Sequence, residues 1–275
     1  MTIREALVQG AARLKSADVP DAQLDAELLL ARVLDEDRLR MRLDGARELS
    51  DAQAERYDAL LCRRQTREPL QYIEGEAAFM GLTFRVAPGV LIPRQDTEIL
   101  CEEALSRMKP GARVLDIGTG SGALAVSLAK LGMDAQVTAV DVSDTALSIA
   151  MDNARRLGVQ VRFLHSDCFA AVAGETFDLI VSNPPYISRE EMETLMPEVR
   201  CEPELALAGG EDGLDFYRRI AREAPAHLNK GGCLLFEIGW QQRDAVSALV
   251  RESVGEPFSL RDYGGNWRVV GALRR

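Results

Sequence analysis

The chain has 275 residues, 47% hydrophobic and 28% charged, enough for one large domain or a medium domain beside a small one. A formal net charge of −10 disfavours a phosphate backbone as the main partner, because such binding needs clustered Lys and Arg. No apolar run approaches the roughly 18 residues that cross a bilayer, and the N-terminus lacks a signal-peptide core, so a cytoplasmic protein that binds neither membrane nor nucleic acid directly is expected.

Five scattered cysteines without a CxxC argue against a metal site or a disulfide framework and point to reduced thiols in or near the core. His165 and His227 have no partners at metal or catalytic spacing, so no metal is expected.

Thr2-x-x-Glu5 is a capping-box pattern ahead of Ala6, Leu7, Ala11 and Leu14. Pro20-Asp21 opens a second helical run with Leu24, Leu28, Leu29, Val33 and Leu34 on one face, and Ser50-x-x-Gln53 opens a third carrying Tyr57, Leu60 and Leu61. These make a small all-α domain over 1–70, with the bundle running to about Arg67 and a break at Pro69. Arg63, Arg64 and Arg67 beside Glu68 read as a solvated helix end. Residues 71–95 read as a hairpin around Gly81 followed by a stiff linker, Pro88 to Arg94. Asp96 or Thr97 can cap the next helix, with Ile99, Leu100 and Leu105 inward.

Over 96–275 strands and helices alternate, which predicts a Rossmann-like α/β domain with a parallel sheet and helices on both faces. Strands are expected at Val114 to Ile117, Gln136 to Val140, Val161 to Leu164, Phe177 to Ser182 and Cys233 to Ile238. Helices are expected at Ser121 to Leu131, Ser143 to Leu157 and around Leu214 to Leu228. Phe258 to Leu260 and Trp267 to Val270 flank Gly264-Gly265-Asn266 as a closing antiparallel hairpin. Trp240 and Trp267 read as packing residues.

Asp116-Ile117-Gly118-Thr119-Gly120-Ser121-Gly122 falls where a strand ends and a helix begins. Glycines there let a ligand approach the backbone, and the helix start offers free N–H groups. Asp141 ends the next strand, placed to accept from a ribose diol. Gly118-x-Gly120-x-x-Ala123 also fits a dinucleotide fingerprint, so the loop alone leaves a nicotinamide or flavin cofactor open beside S-adenosylmethionine. Asp116 would repel a pyrophosphate but suits a cationic amino group and a sulfonium. Asp167 could accept from an adenine amine, and Cys168 or Phe169 could flank the ring.

Asn183-Pro184-Pro185-Tyr186 directly follows the fourth of these strands. An amide nitrogen is a poor nucleophile, and methyl transfer needs its lone pair aimed in line. The Asn183 side-chain oxygen and the Pro184 carbonyl can accept its two N–H hydrogens, Pro185 stiffens the loop, and Tyr186 can stack on the flat group. Positioning and preset dipoles then carry most of the rate effect. Glu237 could border the same crevice or be a solvated or capping carboxylate.

The two motifs together resemble class I methyltransferases acting on planar nitrogens. Gly75 to Leu82, Val90 to Arg94 with Thr97-Glu98, Glu202-Pro203 with Ala206-Leu207, Gly209-Gly210-x-x-Gly213-Leu214 and Glu237-Ile238-Gly239 with Gln241 or Gln242 further resemble the release factor glutamine methyltransferase family (HemK/PrmC), over nearly the whole chain.

The resemblance implies methyl transfer from S-adenosyl-L-methionine, leaving S-adenosyl-L-homocysteine, to the glutamine amide in the Gly-Gly-Gln motif of bacterial class 1 release factors. It implies cofactor contacts from Gly118 to Gly122, Asp141, Cys168 and Asn183, a glutamine held by Asn183 to Tyr186, and a release factor gripped by the N-terminal helices. Two positions depart from the family pattern: Gln95 stands where a proline is common, and Cys168 where a larger side chain is common. The competing readings are a ribosomal-protein glutamine methyltransferase, an adenine N6 methyltransferase on DNA or RNA, and a binding module with an inactive pocket.

Overall fold

The computed structural model describes residues 1–275. Two compact units emerge: Met1–Gly75 with Met196–Cys201, and Glu76–Leu195 with Glu202–Arg275. No helix is long and apolar enough to cross a membrane.

The first unit holds α1 (Ile3–Ser16), α2 (Ala22–Leu34), α3 (Arg38–Leu43), α4 (Asp51–Gln65) and α5 (Leu70–Glu74). Both expected capping boxes form: Thr2 and Glu5 exchange hydrogen bonds at the start of α1, as do Ser50 and Gln53 at the start of α4. The apolar stripes of α1, α2 and α4 meet in one core around Leu14, Leu29, Leu30, Tyr57 and Leu61. Pro69 does not end the helical unit. It caps α5, for which its fixed φ is preset, and the unit runs on to Gly75.

The arginine cluster also differs from expectation. Arg63 does lie near the surface on Glu68, but Arg64 is buried, its Nε donating to Asp25 at 2.7 Å and its Nη2 to Glu198 at 2.9 Å. Arg67 takes the two oxygens of Glu198 in a bidentate pair, both at 2.7 Å. A charge repeat read along the sequence misses this, because Glu198 comes from a segment more than 100 residues away.

Burial alone would raise the Glu198 pKa, but the hydrogen bonds from Arg67 and Arg64 outweigh it and bring it to about 2. Its folded value lies below the ordinary one. The stability it contributes is therefore present above pH 4.5 and lost as pH falls toward 2. Glu198→Gln is expected to lower unfolding free energy at neutral pH by about 1–3 kcal/mol. The gap from the parent protein should narrow as acid is added. Chemical denaturation across pH checks this, and a gap independent of pH would contradict it.

The second unit opens with a hairpin, β1 (Glu76–Phe79) and β2 (Leu82–Arg85), and a 3₁₀ turn at Gln95–Thr97 that runs into α6 (Glu98–Arg107). The alternating part follows as β3 (Arg113–Ile117), α7 (Ala123–Leu131), β4 (Gln136–Asp141), α8 (Asp144–Leu157), β5 (Arg162–His165), β6 (Phe177–Ser182), α9 (Arg189–Met192), α10 (Asp215–His227) and β7 (Leu228–Glu237). The chain closes with α11 (Arg243–Ser253), β8 (Pro257–Arg261) and β9 (Trp267–Leu273). The sheet runs β5-β4-β3-β6-β7-β9-β8. The first five strands are parallel, while β9 pairs antiparallel with both β7 and β8.

Period-two alternation sends the strand side chains to two cores. Val114, Leu179, Val181, Cys233 and Leu235 face α6, α7 and the hairpin. Leu115, Ile117, Ile180, Leu234 and Phe236 face α10 and α11. Strand order reverses at β3, whose neighbours are β4 on one side and β6 on the other. Ligands of open parallel sheets bind outside the carboxyl ends of strands at such a switch point.

Cys101, Cys168 and Cys233 are buried as free thiols, whereas Cys62 and Cys201 lie at the surface rather than near the core. Trp240 is exposed, not a packing residue, while Trp267 is half-buried between the guanidinium groups of Arg243 and Arg261.

Candidate active site

The glycine loop leaves β3 and the Asn-Pro-Pro-Tyr loop leaves β6, and these strands are hydrogen-bonded neighbours. Ile117 is in register with Ser182, whose hydroxyl donates to the Ile117 carbonyl at 2.7 Å. Two motifs more than 60 residues apart therefore emerge side by side. Asp116, Gly118 to Ser121, Asp141, Asp167, Cys168 and Asn183 to Pro185 line one cleft, with a cavity of about 150 Å³. A water needs only about 10–15 Å³ measured this way, so the space suits a small molecule.

The three glycines divide their work. Gly118 (φ +75°) and Gly120 (φ +56°) hold left-handed conformations, and a Cβ added to either would meet nothing within 4 Å. The backbone there is bared to the cleft. At Gly122 a Cβ would stand 2.8 Å from that of Ala150, so this glycine serves the packing of the loop on α8. Gly122 caps α7, which starts two residues later than expected. Thr119 is buried and its hydroxyl donates to Asp116 at 2.7 Å, while Ser121 is likewise buried beneath the loop.

Asp116 is 1% exposed. Burial pushes its pKa up to about 7, against the hydrogen bond from Thr119 and with the nearby charge of Asp141. Asp141 accepts from the Gly120 N–H at 2.8 Å and from the Ser143 N–H at 2.9 Å, one on each oxygen. Each of those oxygens keeps a further lone pair. A buried carboxyl, a second carboxylate with spare acceptors and a bared backbone fit a ligand that has a cationic end and a diol.

A cationic ligand beside Asp116 favours its charged form, and below pH 7 binding must displace a proton. Affinity for S-adenosylmethionine is therefore expected to rise between pH 6 and 8, by about tenfold per unit at most. Asp116→Asn should flatten that rise. Calorimetric titration over this range checks it, and equal slopes in the two proteins would remove Asp116 from contact with the cation.

The adenine side narrows. Asp167 lines the cleft but is exposed and ion-paired with Arg219 at 2.7 Å. Cys168 lines it as a buried thiol whose pKa burial pushes up to about 11. Phe169 does not: its ring stacks on His227, centroids 4.5 Å apart, away from the cleft. His165 pairs with Asp144 at the surface.

On the acceptor side, Asn183 donates through Nδ2 to the Thr97 hydroxyl at 3.3 Å. That leaves its Oδ1 as an unused acceptor. Tyr186 departs from expectation. Its ring packs under the loop against the α10 and α11 core and is not part of the cleft wall, so the structure does not bring it to the place where it could stack on a flat group. Burial pushes its pKa up to about 12.

The sequence names Gln242, Glu202 and Glu237 without showing what each does. Gln242 donates to the Tyr186 carbonyl at 2.9 Å and accepts from the Gly239 N–H at 3.1 Å, pinning the loop from below. Glu202 is buried, accepts from the Ile92 N–H at 2.9 Å and pairs with Arg94. This lock stiffens the segment in which Gln95 replaces a proline. Glu237 is neither solvated nor a cap: it is 1% exposed, and burial raises its pKa to about 7 against the nearby Thr97 hydroxyl and the charge of Arg268. Its place at the end of a strand is legible in the sequence, and its burial follows from the alternation of β7, which turns position 237 to the face of Cys233 and Leu235.

Known families match both units. The PrmC N-terminal domain matches residues 5–75 and the methyltransferase small domain matches residues 87–199. A release factor glutamine methyltransferase of Geobacter sulfurreducens is 45% identical over 98% of this chain and 96% of its own length. That of Escherichia coli is 40% identical over 98% of this chain and 96% of its own. Among solved structures, a methyltransferase from Pyrococcus furiosus superposes with a TM-score of 0.56 over 72% of this chain and 90% of its own, at 23% identity, which speaks for the fold. Sequence, fold and the meeting of the two loops agree, and the chain belongs to the release factor glutamine methyltransferase family, whose methyl donor is S-adenosylmethionine.

Proposed function

We propose that this enzyme methylates the side-chain amide nitrogen of the glutamine in the Gly-Gly-Gln motif of bacterial class 1 release factors, in the cytoplasm, in support of translation termination. One observation carries the reading: Asn183, with its Nδ2 occupied by Thr97, keeps a free amide oxygen in the cleft that the glycine loop lines.

S-adenosylmethionine, when bound, supplies a methyl group activated on a sulfonium. Gly118, Gly120, Asp116, Asp141, Cys168 and Asn183 hold it, with Asp116 and Asp141 meeting its cationic and diol ends. The Asn183 oxygen and the Pro184 carbonyl accept the two hydrogens of the glutamine NH2, which turns the nitrogen toward the donor and enriches its electron density. Pro184 and Pro185 fix the direction of those acceptors. No strong base is needed before transfer: as the nitrogen lone pair takes the methyl the S–C bonding pair stays on sulfur, and the cationic nitrogen so formed readily loses one of its two protons to solvent. The helical unit supplies the release-factor grip.

The rival adenine reading gains nothing from the arginines at the end of α4. All three are committed to carboxylates within their own unit. Peptide mass spectrometry of a release factor before and after incubation with enzyme and cofactor is the test. One added methyl on the Gly-Gly-Gln glutamine is expected. An unmodified release factor beside a methylated ribosomal protein would overturn the assignment.

A further inference from the structure

Arg94 and Glu202 meet from distant parts of the chain, each beside a proline. Glu202 is buried and uses both carboxylate oxygens: Oε2 takes the Ile92 N–H at 2.9 Å, and Oε1 takes an Nη2–H of Arg94. The adjoining Pro93 and Pro203 both line the cleft, as does Arg94 itself, together with Asn183, Pro184 and Pro185. A carboxylate tied at two points holds the guanidinium in place, so little side-chain freedom is left to lose when a ligand arrives.

The pair is lopsided. The Glu202 side chain is 1% exposed and that of Arg94 is 39% exposed. A guanidinium has five N–H donors, and Glu202 takes one of them. The remaining donors have no acceptor in the protein, and the side chain that carries them stands in the wall of the cleft.

The substrate sets what those donors can meet. Two glycines precede the target glutamine, and a glycine offers no side chain to a binding site. Polar recognition of that segment must go through its backbone. A fixed guanidinium with spare donors suits carbonyl oxygens. Pro93 and Pro203 have no N–H to compete for those carbonyls and present apolar rings to a bare backbone.

We propose that Arg94, held by Glu202, is a substrate-binding residue that donates to backbone carbonyls of the Gly-Gly segment and so guides the glutamine toward Asn183. The inference rests on the Gly-Gly-Gln reading of the proposed function and adds to it a contact outside the reacting amide.

The test uses the full chain with a class 1 release factor. Arg94→Met removes the donors at similar reach, and Arg94→Lys keeps a charge for Glu202 with fewer donors. Arg94→Met combined with Glu202→Gln removes the donors without stranding a buried charge. Arg94→Met and the double variant are expected to raise KM for the release factor by about ten- to a hundredfold. Their kcat at saturation and their S-adenosylmethionine affinity should stay close to wild type, and Arg94→Lys should fall between.

Wild-type KM in the folded double variant overturns the inference. So does a loss of S-adenosylmethionine affinity with release-factor KM unchanged, which would give the guanidinium to the cofactor carboxylate instead. If Arg94→Met alone melts early because Glu202 is left unpaired, the double variant decides. A wild-type protein that leaves the release factor unmodified overturns the substrate reading and this inference with it. An active wild type matched by the double variant in KM overturns this inference alone.

Discussion

Asn183→Ala is expected to cut turnover by about 10²- to 10⁴-fold while S-adenosylmethionine affinity stays within a few-fold of wild type. The reason lies in what the side chain does at each stage. Its Nδ2 is anchored on Thr97 and its Oδ1 is left over. An acceptor preset for a reacting N–H matters most when charge builds on that nitrogen, so its loss falls on the barrier more than on ground-state binding. The cofactor keeps the bared backbone at Gly118 and Gly120 and both carboxylates. Single-turnover rates beside calorimetry separate the two quantities. Loss of cofactor binding with a normal rate at saturation would reverse the assignment.

Gly213→Ala should be nearly as damaging, though it touches no reactant. Gly213 holds φ +74°, and a Cβ there would press into the Tyr186 carbonyl and stand 2.7 Å from Gln242 Nε2. A Cβ added at the neighbouring Gly209 would likewise stand 2.8 Å from the Pro185 carbonyl oxygen. These glycines are the floor on which the acceptor loop lies, and a methyl group would lift it and break the Gln242 pin. Strain and overpacking together are expected to lower stability by about 2–4 kcal/mol. A shift of about 1 Å in the acceptor groups would lower turnover by about a hundredfold.

Gly265 makes the control. It has φ +84° but open space around an added Cβ, so Gly265→Ala should show only modest strain and normal turnover. If the two variants behave alike, the floor has no such role.

Much of this was legible in the chain. The capping boxes at Thr2 and Ser50 are local pairings three residues apart, and β6 matched its expected limits because turn residues bound it on both sides. The glycine loop and the Asn-Pro-Pro-Tyr loop were placed at one crevice because strand order in a doubly wound sheet forces them together. Local signals failed elsewhere. α3, with the sequence Arg-Leu-Arg-Met-Arg-Leu, is too short and too charged to show a periodic face. α11 shows only Val246 and Val250 as its buried side, too few apolar positions to announce a helix. The motif points Tyr186 to the cleft, but packing turns its ring into the core. Thr97, Glu202 and Gln242 take their partners from other elements, and no spacing along the chain announces those pairings.

The return of Met196–Cys201 to the helical unit has a practical consequence. No single cut of the backbone yields either unit whole. A fragment ending at Gly75 would keep Arg64 sealed inside but lose one of its two carboxylates, and Arg67 would lose its bidentate partner entirely. The complementary fragment would carry Glu198 with its guanidinium neighbours gone. The helices are thus a discontinuous module, and swapping them between relatives by exchanging the first 75 residues would transplant a lock without its key.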